Sequence, residues 1–136
     1  MTFEDVVIGD KIGPKEYMVD EQAVMDFKEY GQWDSERFPV DSRFAPPGFS
    51  TVYHIHMLSE KMGGPGVRVW LRSEHEYFRP VKLGSRIIKE GRFIDKYTKR
   101  GRDYIVYEIE TFDEEKSLLF RSRETLLMSI LKREEA

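Results

Sequence analysis

The second half of the chain leaves few folds open. Residues 86–98, 104–112 and 118–131 read as three long segments in which apolar and polar residues alternate, the period of a strand with one buried face. Two short polar links join them. One is Lys99-Arg100-Gly101-Arg102-Asp103, and the other spans residues 113–117. Links this short connect antiparallel neighbours, because a parallel crossover needs a dozen residues or more. A fourth segment comes earlier, where Val67, Val69 and Leu71 alternate with Arg68, Trp70 and Arg72. Pro80 and Gly84 punctuate the bend after it. The pattern predicts a four-stranded antiparallel meander with an apolar face that something must cover.

The cover comes from upstream. Residues 49–62 read FSTVYHIHMLSEKM. At helical spacing Phe49, Val52, Tyr53 and His56 form one stripe, and Val52, Ile55 and Ser59 lie on another. A helix apolar over so much of its circumference is expected to be buried. Pro46, Pro47 and Gly48 lead into it, and proline suits a first helical position. Gly63, Gly64 and Gly66 around Pro65 end it. Before it, residues 15–19 read as a short strand. Asp20 is an N-cap with Glu21 in the first turn, Ala23, Val24, Phe27 and Tyr30 share one face, and Gly31 is the stop. Between the helices lies an irregular loop rich in acids, arginines and prolines. The order is short strand, helix, loop, buried helix, four strands. It predicts an α+β hot-dog fold, a long antiparallel sheet wrapped around a central helix, as one domain over residues 1–136.

Composition narrows the function classes. A chain of 136 residues suits a single core. With 40% hydrophobic and 35% charged residues it is not a disordered chain. A net charge of -3 argues against nucleic-acid binding. No cysteine is present, which removes disulfides, thiolate metal sites and thiol nucleophiles. No apolar run approaches the ~20 residues that span a bilayer. The opening MTFEDVVIGD lacks the basic-then-apolar order of a secretory signal, so a soluble cytoplasmic protein is expected. His54 and His56 are two apart and fall on different faces of a helix, so they are not an adjacent ligand pair, and no metal is expected.

Two blocks resemble the MaoC-like dehydratase family, whose fold is the hot-dog. They are AVMDFKEYGQWDSERFPVDSRFAPPGF at residues 23–49 and SEHEYFRPVKLGSRIIKEGRFIDKYTKRGRDYIVYEIETF at residues 73–112. A TLLMS strand follows near the end. FRPVKLGS, entering a long strand, is typical of the family. RFAPPGF is similar to the helix entry of its N-terminal dehydratase branch. The resemblance implies addition or removal of water across the 2,3-double bond of an acyl thioester. It implies no cofactor beyond acyl-CoA as substrate or ligand.

The family motif is similar to G-D-x-N-P-I-H-x-D, whose aspartate and histidine act on the water while a backbone N–H at the helix start holds the thioester oxygen. Asp34 falls on the motif's aspartate and Asp41 on its last one. Glu36 stands in place of asparagine, Arg37 in place of proline, and Pro39 in place of the histidine. The resemblance therefore makes Asp34 a candidate general base without its partner. The alternative is a loop acid that caps a turn or pairs with Arg37 or Arg43. Glu36 and Asp41 could form an acid–base pair with Asp34, as close carboxylates push their pKa values apart, or they could simply be solvated. Gly48, through its own N–H or that of Phe49, is the candidate oxyanion donor.

Other candidates are less specific. Lys99, Arg100 and Arg102 make a basic turn that either holds the phosphates of coenzyme A or is merely exposed. His54 and His56 are catalytic only if one faces the loop; otherwise they are hydrogen-bonded core or subunit-contact residues. His75 reads as a cross-strand partner, and Trp70, Tyr77 and Phe78 as core or dimer-interface residues. Three functions fit. The chain is an enoyl-CoA hydratase or 3-hydroxyacyl-CoA dehydratase, a non-catalytic acyl-CoA-binding subunit, or a hot-dog acyl-CoA thioesterase. All three expect an acyl-CoA or other acyl thioester, and a homo-oligomer or a heteromer with a catalytic hot-dog subunit, with no nucleic acid and no membrane.

Overall fold

The computed structural model describes residues 1–63 and 68–128. Strand β1 (Lys11–Met18) runs into helix α1 (Glu21–Tyr30). The Asp20 carboxylate accepts the Gln22 N–H at 3.0 Å, and the Gly31 N–H closes on the Phe27 carbonyl at 3.0 Å, so both ends stop where the sequence places them. Val24 is buried and Phe27 packs edge-on against Phe49, but Tyr30 is solvent-exposed.

The second helix, α2 (Val52–Met62), is entered through a tighter 3-10 turn, Phe49–Thr51. Its buried face carries His54, Met57, Leu58 and Met62. This corrects two expectations. Ile55, His56, Ser59 and Glu60 are exposed, so the helix is one-sided and not buried all round. The stripe running from Phe49 to His56 does not form either. A 3-10 turn advances each residue by 120° where an α-helix advances 100°, so three such residues shift the phase by about 60°. Phe49 faces inward and His56 does not.

Strands β3 (Val69–Tyr77), β5 (Arg86–Lys99), β6 (Arg102–Phe112) and β7 (Leu118–Leu127) join β1 in an antiparallel sheet of order β1-β5-β6-β7-β3. The β5–β6 hairpin turns on Arg100 and Gly101, at φ 53° and 75°, the positive-φ pair that matches strand twist. The simple meander expected for all four strands is corrected: β3 pairs with β7 and sits on the opposite edge from β1. After β3 the chain leaves the sheet at Pro80, which cannot donate to a ladder. It forms strand β4 (Val81–Lys82) against strand β2 (Phe44–Ala45), then returns beside β1, where the Gly84 N–H bonds the Val19 carbonyl at 2.9 Å. Register shifts between Ile12 and Lys15, Phe93 and Asp95, and Trp70 and Arg72 add the curl that wraps the sheet round α2. Gly91 permits a close approach within it. A Cβ there would lie 2.9 Å from Ile109 Cγ1 and 3.0 Å from the Glu108 carbonyl. β7 spans Leu118–Leu127 and Met128 follows in a bend; residues 64–67, residues 129–131 and the charged tail 132–136 lie outside the described residues.

The core has two apolar halves. One gathers Ile12, Met57, Leu58, Met62, Phe93 and Ile109. The other gathers Val24, Phe49, Val81, Ile87 and Phe120. Between them the inward positions of three strands and the helix are polar: Lys89 on β5, Thr111 and Tyr107 on β6, Glu124 on β7, and His54 on α2.

Candidate functional site

The apolar half that contains Phe49 opens to solvent as a groove of about 460 Å³. One wall is the loop before α2, from Pro39 to Ser50. The other is the turn from β3 into β4, from Tyr77 to Val81, and Phe120 of β7 closes the floor. The walls are mostly apolar, with Phe44, Phe49, Tyr77 and Phe78 contributing rings. Asp41 and Arg79 stand among the lining residues. A groove of this size and lining suits an acyl chain or another slender apolar group.

The loop acids are placed separately. Asp34 is exposed and does not line the groove; its Oδ1 accepts the N–H groups of Glu36 and Arg37 at 3.1 and 3.0 Å and caps a turn. Glu36 is exposed beside it. Asp41 does line the groove, yet it is held by Arg43, whose Nη2 and Nε lie 2.7 and 3.0 Å from its two oxygens. The Arg43 side chain, helped by its backbone N–H, holds the Asp41 carboxyl at about 2, well below the usual range. An acid that strong is a carboxylate at neutral pH and a feeble base.

Gly48 lines the groove at φ 88°, a conformation that favours glycine. Its N–H lies toward the Tyr77 hydroxyl, an interaction that opposes the upward push of burial on that phenol. The Phe49 N–H is turned to the Pro46 carbonyl at 3.2 Å, and the Phe49 ring is buried at the groove wall. Lys99, Arg100 and Arg102 are exposed at the far end of β5, and none of them lines the groove.

Behind the groove floor the polar belt forms one chain of contacts. Lys89 and His54 are 0% exposed and Glu124 1%. Lys89 Nζ lies 2.7 Å from Thr111 Oγ1, 2.9 Å from His54 Nε2 and 3.4 Å from Ser50 Oγ. His54 Nδ1 lies 2.9 Å from Glu124 Oε1. Tyr107 donates its hydroxyl proton to Glu124 Oε2 and accepts from Trp70 Nε1 at 2.7 Å. The proton positions follow from donor counting. A carboxylate only accepts, so His54 presents Nδ1–H to Glu124. Its Nε2 is then bare and accepts from Lys89. Cation and anion are thus bridged by a neutral imidazole, with each buried polar atom partnered.

Burial sets the titration of this belt. It pulls the Lys89 amine down to about 7, against the pull of the Glu124 charge. It pulls the His54 imidazole down to about 4, opposed by the bond to Glu124 and aided by the Lys89 charge. Burial and Glu124 push the Tyr107 phenol up.

His54 is thus a hydrogen-bonded core residue, and His75 is a cross-strand partner, its Nδ1 2.7 Å from Ser122 Oγ. Sequence reasoning passed over Lys89, Glu124 and Ser50. The signal for the first two is a charge at an inward position of an alternating strand: Ile87-x-Lys89-x-Gly91-x-Phe93 and Phe120-x-Ser122-x-Glu124-x-Leu126.

No protein-family model and no curated protein matches the sequence. Solved structures do. A monoamine oxidase regulatory protein from Archaeoglobus superposes with a TM-score of 0.76 at 16% identity, covering 94% of each chain. The 3R-hydroxyacyl-ACP dehydratase complex HadBC from Mycobacterium tuberculosis gives 0.75 at 16% identity over 89% of this chain and 96% of that one. The R-hydratase PhaJ1 from Pseudomonas aeruginosa gives 0.74 at 16% identity over 94% and 85%. These likenesses establish the fold: the chain has the hot-dog architecture that the sequence blocks imply.

Proposed function

We propose that this chain binds an acyl thioester in the groove and serves in a hydratase or dehydratase of the MaoC-like type, as a subunit of a homo- or heteromeric assembly. The observation that carries the reading is the groove itself. An apolar slot of about 460 Å³ opens at the entry to the central helix, in the fold shared with hydratases and dehydratases. Acyl carbons fill the slot between Phe49, Tyr77 and Phe120, and the thioester oxygen lies toward the Gly48 backbone. Arg79, at the rim, offers a cation to a phosphate-bearing carrier, and Lys99, Arg100 and Arg102 serve a carrier that extends further. If the chain turns over substrate unaided, the carboxylate for water has to come from Asp34, Glu36 or Asp41, of which only Asp41 lines the groove.

The state of those carboxylates favours a second reading, a non-catalytic acyl-binding subunit. Asp34 is engaged by two backbone N–H groups, Asp41 by Arg43, and Pro39 stands where the resemblance expects a histidine. The sheet edge supports an assembly in either case. β3 lies at the end of the sheet, with Trp70, Leu71 and Tyr77 exposed along it, and an unpaired edge of that kind favours pairing with another chain.

Loss of enoyl thioester absorbance, followed for the purified chain with short, medium and bulky enoyl-CoAs, tests the reading. Turnover that disappears in Asp34→Asn makes the chain an enzyme with Asp34 as its base. Acyl-CoA binding without turnover makes it the binding subunit. Release of free thiol makes it a thioesterase, and absence of binding overturns the proposal.

A further inference from the structure

Ser50 joins the groove to the belt. It lines the groove, is 3% exposed, and has its Oγ 3.4 Å from Lys89 Nζ. Lys89 is the unusual member of that pair. It sits at an inward position of β5 with its Nζ 4.5 Å from the centre of the Phe120 ring, and Phe120 forms the groove floor. A lysine in the apolar centre of a domain is rare without a partner or a task.

Donor counting gives Ser50 two states. With Lys89 as an ammonium, three N–H groups meet three acceptors: Thr111 Oγ1, His54 Nε2 and Ser50 Oγ. Ser50 then accepts, and its own proton has no acceptor among the described residues except what enters the groove. With Lys89 as an amine, two N–H groups serve Thr111 and His54, and the lone pair faces Ser50. Ser50 then donates backward, and its proton leaves the groove. Both states satisfy the buried nitrogen, and in the first the Ser50 proton is left for an acceptor that enters the groove.

We propose that Ser50 is a hydrogen-bond donor to a carbonyl oxygen in the groove, switched on by the Lys89 ammonium behind it. The ligand class is an apolar chain bearing a carbonyl. The inference rests on the acyl-thioester reading only for which carbonyl that is. In an acyl ligand the donor faces the oxygen where negative charge gathers as the adjacent carbon is attacked, and a hydroxyl backed by a cation meets that charge better than a lone hydroxyl. Ser50 touches the ligand; Lys89 acts through it as a positioning residue. Burial and, against it, the Glu124 charge from β7 set the Lys89 charge; the other titratable groups in that belt are His54 from α2, Tyr107 from β6, and His75 from β3 acting on His54. Near neutral pH the ammonium gives way to the amine, so the donor weakens as pH rises through about 7.

The test uses the full chain and a medium-chain methyl ketone isotope-labelled at its carbonyl carbon, with an acyl-CoA labelled likewise in parallel. The expected result is a downfield carbonyl resonance in the bound state that moves back upfield as pH rises through about 7. Ser50→Ala removes both the displacement and its pH dependence, and Ser50→Thr, which keeps the hydroxyl, restores them. A bound resonance unmoved by Ser50→Ala, or independent of pH in the wild-type chain, overturns the proposal, and so does failure of both probes to bind. A ketone that responds while acyl-CoA fails to bind leaves the donor standing and removes the acyl-thioester reading. Acyl-CoA bound with a carbonyl indifferent to Ser50 does the reverse.

Discussion

Asp41 and Glu124 are both carboxylates held by a nitrogen at close range, and they do opposite work. Asp41 meets Arg43 at 2.7 Å across two residues of sequence, in a pair 45% and 74% exposed. Glu124 meets His54 at 2.9 Å across 70 residues, in a pair exposed by 1% or less. Water and salt screen the first, which shapes a local turn. Nothing screens the second, which ties the helix to the far side of the sheet and carries the Lys89 charge with it. Contact distance therefore says little about consequence. The surroundings decide whether removing one partner frees a charge to water or strands it.

Stranding the buried charge should have the largest effect. Below pH about 7, where Lys89 is an ammonium, Lys89→Met keeps the side chain's length and removes its charge, leaving Glu124 uncompensated. The expected loss is about 3–5 kcal/mol in urea unfolding. Adding Glu124→Gln to it should recover part of the loss, because the orphaned charge goes too.

Acid should find the same network. The folded His54 pKa, about 4, lies below its ordinary 6.5, so between those values the unfolded chain binds a proton that the folded chain refuses. Stability should fall as pH drops through that window, by about 3 kcal/mol in total, and His54→Gln should flatten the slope. Lys89 adds a second window of the same sign. Its folded pKa of about 7 lies below the ordinary 10.5, so stability should rise with pH between the two. Asp41 gives the contrast: its carboxyl is held at about 2, so its own window lies between that value and the ordinary 3.8, below the His54 window.

Gly91→Ala supplies a neutral scale for packing alone. Its new Cβ meets Ile109 and the Glu108 backbone, for an expected cost of about 1–3 kcal/mol by urea unfolding. Arg43→Ala is the smallest effect of the set. Its midpoint should fall within the scatter of repeated wild-type measurements, since the pair it breaks is solvated.

The same contrast governs what the sequence could show. The Asp20 cap, the Gly31 stop, the two helices and the long strands are local events written in spacing and turn residues. The loop acids were legible because a motif aligns them, but their engagement by Arg43 and by backbone N–H groups was not. Alternation tells which face of a strand is inward and not which strand lies beside it, so it predicts a simple meander where β3 in fact lies beside β7. Lys89 and Glu124 break the apolar pattern of their strands, yet only the register through Thr111, Tyr107 and Ser122 brings them together over His54. A one-residue slip would turn either of them to solvent.

In the proposed function the groove before α2 holds an acyl chain. Val40 lines it from the loop side and is not fully buried, so Val40→Trp can fill the groove without touching the core. Calorimetric titration of hexanoyl-CoA into the wild-type chain and into Val40→Trp tests the claim directly. Binding by the wild type that falls at least tenfold in Val40→Trp, a change of about 1.4 kcal/mol, is the predicted result. Equal binding by both chains would place the acyl group elsewhere and contradict it.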